Sequence, residues 1–262
     1  MGESFSLSLR AADILAQTMR VNIRQFPFEI PSVGRTQAER TRIARSVFGE
    51  LADQGLVRHG EIDADLQRAL RTLSNWVIGV AVMGTVAESR KIYARASAAG
   101  DTGVLAVKEG RALRLRLIRP TALAMTMVDL LPEAEAGPGQ SVTLTQPAPA
   151  AVGARTADEN PDYFADVRPP SGGNSQQLRL VESYFNRPRT GTGFFAVSGR
   201  DRHGRQIRGG GLTWLDTDAG RYLTLSHPPD EDGQVRATFS PADSARMRQQ
   251  LGTMIESVAP RG

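Results

Sequence analysis

The feature that most constrains this chain is a strand-and-turn rhythm that occurs twice and is closed each time by a helical stretch. Residues 194–258 read strand, turn, strand, turn, strand, turn, strand, helix, and residues 76–131 echo that order. Asp201-Arg202-His203-Gly204, Asp218-Ala219-Gly220 and Asp230-Glu231-Asp232-Gly233 separate the strands of the second unit. Each ends in the glycine that a tight reversal uses. In the first unit, residues 76–83 are a short continuous apolar run suited to a buried central strand. Residues 89–97 alternate, with Ile92, Ala94 and Ala96 on one side and Lys91, Tyr93 and Arg95 on the other. Residues 98–103 read as small and flexible. Residues 104–107 and 113–118 pair across Glu109-Gly110, and Leu113, Leu115 and Leu117 alternate with Arg114 and Arg116. One face of that hairpin is core and the other is wet. Two hairpin meanders closed by helices predict an α+β fold around an antiparallel sheet.

The remaining segments supply helices and a divider. Residues 4–8 alternate as a short edge strand, and residues 11–19 read as a helix with Ile14 and Leu15 inward. Phe26-Pro27-Phe28-Glu29-Ile30-Pro31 cannot be helical, because two prolines bracket it. Thr36-Gln37-Ala38-Glu39 is a capping box. The helix it opens carries Ile43, Val47 and Leu51 and stops at Gly55. A second helix is capped near Asp63, with Leu66, Leu70 and Leu73 on one face. Residues 121–131 form a helix ended by Pro132, and residues 141–145 add a strand. Residues 147–170, rich in Ala, Pro, Asp and Gly, read as a linker between an N-terminal half (about 1–146) and a C-terminal half (about 171–262) of one domain. Asn174 or Ser175 caps a helix with Leu178, Val181 and Phe185, broken by residues 188–193. Ser240-Pro241-Ala242-Asp243 reads as a helix start, with a hydroxyl cap and a proline at the first position. Met247, Leu251, Met254, Ile255 and Val258 then form a buried stripe.

The chemistry-bearing residues are dispersed. There is no cysteine, so disulfides, thiolate metal sites and cysteine nucleophiles are excluded. His59, His203 and His227 all sit in loop contexts and no two share metal-ligand spacing. Asp216 and Asp218 could serve a hydrolase as an acid pair, but they flank a turn, where Asp bonds its own backbone. Gly209-Gly210-Gly211 reads as a bulge in a strand, and Thr190-Gly191-Thr192-Gly193 as a loop. No metal or cofactor is expected. The net charge is +4, and only Lys91 and Lys108 of the 32 basic residues are lysine. Arginines on strand faces (Arg114, Arg116, Arg205, Arg208, Arg236) raise nucleic-acid binding as an alternative. Aromatics make up only 6% of the chain, which leaves few stacking platforms and argues against it. No apolar run reaches the roughly 18–20 residues of a membrane span. Asp13 interrupts the first apolar segment, so neither a membrane nor a secretory signal is expected. Met1-Gly2-Glu3-Ser4-Phe5-Ser6 matches a myristoylation pattern, but nothing nearby supplies a second anchor.

Several local patterns, in order along nearly the whole chain, carry a family resemblance. They are Phe48-Gly49-Glu50-Leu51 to Gly55-Leu56, then Gly60-Glu61-Ile62-Asp63 leading to Leu70 and Leu73, the apolar run 76–83, and Val104-Leu105-Ala106 to Arg119 with a helix ending at Leu131-Pro132. Ser171-Gly172-Gly173, Asp201 with Gly204-Arg205, Leu215-Asp216-Thr217 with Gly220-Arg221-Tyr222, and Ser240-Pro241-Ala242-Asp243 follow. Together these resemble the EspG family of ESX (type VII) secretion-associated proteins of actinobacteria. The resemblance implies a central antiparallel sheet built from two halves related by a quasi-twofold axis and flanked by helical bundles. It implies a non-enzymatic cytoplasmic chaperone that covers the apolar helical tip of a PE–PPE-like heterodimer before export. By the same resemblance, client contacts fall on the loop joining the first central strands, placed at residues 88–101 with Tyr93, Ala98, Ala99 and Asp101. The helix with Leu178, Val181, Tyr184 and Phe185 supplies the rest. A scaffold for its own oligomer, including a homodimer, is a further alternative.

Overall fold

The computed structural model describes residues 4–87, 90–147, 175–226 and 234–260. Of the linker expected over residues 147–170, Pro147 ends a strand and the rest lies outside them, as do Ser171-Gly172-Gly173, Asn174, the turn at residues 230–233, His227, Glu88, Ser89 and Met1-Gly2-Glu3.

The chain opens with edge strand β1 (Ser4–Ser8) and helices α1 (Leu9–Met19), α2 (Gln37–Asp53) and α3 (Ala64–Ser74). The two-residue strands β2 (Val57–Arg58) and β3 (Glu61–Ile62) sit between α2 and α3. The first meander is β4 (Ile78–Val86), β5 (Arg90–Ala99), β6 (Thr102–Glu109) and β7 (Ala112–Ile118), followed by a 3-10 turn, Pro120–Ala122, and α4 (Leu123–Val128). The second half repeats the plan: edge strand β8 (Val142–Pro147), helix α5 (Ser175–Phe185), meander β9 (Arg189–Arg200), β10 (Gln206–Thr217), β11 (Gly220–Ser226) and β12 (Gln234–Pro241), and α6 (Ser244–Val258).

All ten long strands form one antiparallel sheet in the order β1-β7-β6-β5-β4-β9-β10-β11-β12-β8. That order is a palindrome about the β4–β9 pair. Each meander begins at the centre and works outward, and the strand that opens each half caps its outer edge. At the centre Gly84 pairs with Gly193. A Cβ on either would meet the indole of Trp214, at 2.7 and 2.1 Å respectively, so two facing glycines admit the largest side chain of the core. This is why residues 190–193, expected as loop, are strand. The expected bulge at the Gly209–Gly211 run is present: the β9–β10 register shifts between Arg208 and Gly211.

The sheet is covered on both faces. On one, α1–α3 pack against Phe5, Leu7, Val104, Ala106, Leu113 and Leu115. On the other, α4 and α6 pack against Val80, Val82, Phe195, Val197, Leu212 and Trp214. Leu105 joins this second cluster while its neighbours join the first, as period-2 alternation requires. Helix α5 builds a third cluster with Val142, Leu144 and Phe239. Leu223 lies in the second cluster and pairs with Ser240. The adjacent Phe239 therefore points the other way, and α5 shares the face of α1–α3.

Three boundaries differ from expectation. Helix α4 is shorter than residues 121–131, because the chain from Pro120 first makes a 3-10 turn. Ser240 and Pro241 end β12, paired with Leu223 and Tyr222, and the cap of α6 is Asp243, whose carboxylate accepts from the Arg246 amide at 2.7 Å. Ladder pairing outcompetes the earlier cap. Residues 98–103 are ordered as the end of β5 and start of β6, because Ala98 is buried between Ile78 and Gly103.

The loop between α1 and α2 is held by one buried carboxylate. Asp13, 2% exposed, accepts from Arg24 (2.5 Å), Arg40 (2.9 Å) and the Val33 amide (3.0 Å). Burial alone would raise its pKa; the Val33 amide and the two guanidiniums outweigh that and hold it below the usual carboxylate range. Because the folded pKa is the lower one, the contribution is complete above the unfolded value of about 4 and is lost as pH falls through the folded pKa. Asp13→Asn is expected to lower stability by about 2 kcal/mol at pH 7 in urea unfolding. The gap to wild type should narrow as the pH is taken below that range.

Candidate functional site

Helix α5 meets the sheet through a stripe at threefold and fourfold spacing. Val181 and Tyr184 are buried, while Leu178, Leu180 and Phe185 are half-buried. Tyr184 stacks on Tyr222 with centroids 4.4 Å apart, and Phe185 meets Phe239 edge-on at 5.8 Å. The Tyr184 hydroxyl donates to the Gln140 carbonyl (2.9 Å) and accepts from its amide (3.0 Å). Val181 and Tyr184 thus fasten the helix, Leu178 and Phe185 form an apolar rim, and Gln177, Arg179, Glu182 and Ser183 face out.

Residues 88–101 do not form one loop. Arg90 to Ala99 is strand β5, paired along its length with β4. Its two ends are about 30 Å apart, from ten residues at about 3.3 Å each. The end of β4 and the start of β5 lie beside the start of β9, since Thr85 pairs with both Lys91 and Thr192. Helix α5 ends only three residues before β9, and the Asp218 amide donates to the Pro188 carbonyl there (3.2 Å). The structure therefore brings Ala87 and Arg90 to the same sheet end as Phe185. Ala98, Ala99 and Asp101 sit at the other end: Ala98 buried, Ala99 half-buried and Asp101 exposed, accepting from the Thr102 hydroxyl (2.9 Å). Tyr93 lies between the ends, half-buried beneath the Lys108 ammonium at 5.5 Å. Met83, Thr85, Thr192, Ala196 and Thr213, all half-buried, continue from Tyr93 as a strip of sheet between α1–α3 and α5.

The candidate acid pair separates. Asp216 is buried and gives both oxygens to Arg221, at 2.5 Å from Nε and 3.0 Å from Nη2. Arg221 is fully buried; its Nη2 also donates to the Pro132 carbonyl (2.8 Å), and Nη1 lies 3.6 Å from the Met247 sulfur. Asp218 is exposed, 3.9 Å from Arg187. The turn bonding expected of Asp216 is done by the Thr217 hydroxyl, which donates to the Gly220 carbonyl at 2.8 Å. Arg221 was legible only as a cross-strand partner of Asp216 over the Asp218-Ala219-Gly220 turn. Arg95, on the side of the strand opposite Ile92, Ala94 and Ala96, is nonetheless buried, because the segment around Phe26 covers it. No group of His, Asp or Glu able to hold a metal occurs among the described residues. Arg114 is paired with Glu109 (2.6 Å) and Arg205 with Asp201 (2.9 Å), and with Arg116 and Arg208 they fall on separate parts of the sheet, not one stripe. Among the described residues no helix is long and apolar enough to cross a membrane.

A family model described as the EspG family matches residues 8–253. The chain belongs to the EspG family. No curated protein matches it in sequence. In fold, this EspG-family chain is similar to the Mycobacterium tuberculosis type VII secretion system chaperone EspG5, solved in complex with the PE25–PPE41 dimer. The TM-score is 0.68 at 10% identity, over 99% of this chain and 98% of that chain. The expected α+β architecture, a large antiparallel sheet flanked by helices, is therefore present and shared with an EspG structure.

Asp216→Asn is expected to cost about 3–5 kcal/mol in urea unfolding, since it strands a buried guanidinium. A carboxylate kept for chemistry would leave stability unchanged on amidation. Ala98→Glu should destabilise by more than about 2 kcal/mol, while Asp101→Ala should stay within about 0.5 kcal/mol of wild type in the same assay.

Proposed function

We propose that this EspG-family chain is a cytosolic chaperone of type VII secretion, one that binds a PE–PPE-like heterodimer and covers its apolar helical tip before export without turning over a substrate. One observation carries the reading: the likeness to EspG5 runs over nearly the full length of both chains, and EspG5 was solved holding a PE25–PPE41 dimer. The internal chemistry agrees. Asp216 of the candidate acid pair is spent on a structural ion pair, and among the described residues nothing converges as nucleophile, base and oxyanion donor.

The mechanism is burial. Covering about 300 Å² of apolar surface is worth roughly 7 kcal/mol at about 25 cal/mol per Å², before ordering losses. The client surface is the sheet end shared by the end of β4, the start of β5 and the C-terminal end of α5. Leu178 and Phe185 supply the apolar rim, and Tyr93 begins the strip that leads away from it. Val181 and Tyr184 act from beneath by fixing the helix. Ala98, Ala99 and Asp101 lie at the far end of β5, so a client touching both ends would run the length of that strand.

In co-expression with a PE–PPE pair, wild type is expected to retain the pair on affinity purification. Leu178→Asp and Phe185→Asp should each lower the retained client at least tenfold, with far-UV and near-UV circular dichroism unchanged. Full capture by both folded variants would remove α5 from the site. Turnover of a small substrate together with failure to hold any PE–PPE pair would overturn the chaperone assignment.

A further inference from the structure

A buried cation on β5 has no counter-ion among the described residues. Arg95 is 4% exposed. Its Nε donates to the Ser97 hydroxyl (3.2 Å), its Nη1 to the Phe26 carbonyl (3.1 Å), and its Cζ lies 4.7 Å from the centroid of the Trp76 ring. Nη2 has no hydrogen-bond partner. That group extends across the central strand: a Cβ on Gly79 would lie only 2.3 Å from it. Beyond Gly79, on β9, stands its register partner Ser198.

A second guanidinium shares this place, and a third arginine follows in the sheet register. Arg200 Cζ sits 4.5 Å from the same Trp76 centroid. Arg208 pairs with Ser198 across β9 and β10, and its side chain is exposed. Burial, and then the charge of Arg200, push the Arg95 pKa down to about 10. Two described acids near these strand ends are engaged elsewhere: Asp201 holds Arg205, and Asp101 accepts from Thr102. Among the described residues, none of Arg95, Arg200 and Arg208 has an ion-pair partner. Buried charges are ordinarily paired, and clustered like charges repel. A carboxylate supplied from outside satisfies both demands, since guanidiniums match its planar geometry. Single-stranded nucleic acid fits less well. Trp76 is 3% exposed and its ring already carries two guanidiniums, so no platform is left for a base.

We propose that Arg95, Arg200 and Arg208 form a docking site for an acidic segment of a bound polypeptide, with Arg200 and Arg208 as the contacts and Arg95 as a fixed charge beneath them. The polypeptide nature of the ligand rests on the chaperone reading above. The site lies at the sheet end opposite α5, because the Arg200 amide donates to Val77 and the Val77 amide to Ala98. An apolar grip at one end and an ionic one at the other would fix a client's direction along the sheet.

The test uses fluorescein-labelled octaglutamate and the full chain at low ionic strength, read by fluorescence anisotropy and tryptophan emission. Binding is expected for wild type, with affinity at least about tenfold weaker for Arg200→Gln/Arg208→Gln, as for loss of close charge contacts. Trp76 emission should shift on binding and the shift should vanish in Trp76→Phe, while Leu178→Asp leaves peptide affinity unchanged. No binding by wild type, equal affinity for wild type and the double variant, or tighter binding of a single-stranded DNA oligomer through the same two arginines would overturn the proposal. Loss of PE–PPE capture with octaglutamate binding intact would fault the client assignment alone.

Discussion

The whole architecture depends on the pairing of β4 with β9. Eight register pairs, from Ile78↔Gly199 to Thr85↔Thr192, join two meanders that are otherwise separate in sequence. Each of these strands is apolar on the face toward α4 and α6, so the pair also carries the hydrophobic cluster beneath those two helices. The Gly84–Gly193 contact sets how closely Trp214 can approach, and Trp214 in turn packs on Phe195 with centroids 5.3 Å apart. A single methyl at either glycine would collide with the indole, and well-packed cores tolerate such additions poorly.

Around this seam the polar core is sparse and specific. Arg221 ties the end of the α4 segment, helix α6 and the β10–β11 hairpin through one guanidinium. Asp13 does the same for α1, α2 and the loop between them. Each is an ion centre whose hydrogen-bonding capacity is met by backbone as well as by the opposite charge, the condition under which burial of ions is tolerable. Arg95 departs from that pattern: it has backbone and hydroxyl acceptors but, among the described residues, no opposite charge.

Much of this fold was readable from residue order, because turn glycines and alternation report local geometry. The β6–β7 hairpin, the Asp201 and Asp218 turns, the Gly209–Gly211 irregularity and the Asp63 cap all follow from near neighbours in sequence. What escaped was set by distant partners. Ser240-Pro241 has every mark of a helix start, yet β11 claims both residues. Residues 190–193 look like a loop until Gly84 and Trp214 are placed beside them. Arg95 alternates with Lys91 and Tyr93 as a surface residue would, and only the chain around Phe26 buries it. Of the client contacts implied by the resemblance, Leu178 and Phe185 stand at the rim of α5, whereas the span 88–101, expected as one loop, contains strand β5, Arg90–Ala99, which separates its two ends.

The palindromic strand order has a consequence for synthesis. Strand β1 waits for β7, over one hundred residues later (Ser4 pairs with Arg116), and β8 waits similarly for β12. Each half closes on itself only when its last strand has left the ribosome. Between those moments a finished first half would present β4 as a bare, greasy edge, the kind of strand that recruits stray neighbours into aggregates. Prompt arrival of β9 is therefore a protective event as much as a structural one, and a translational pause falling between the two halves would be hazardous to this protein.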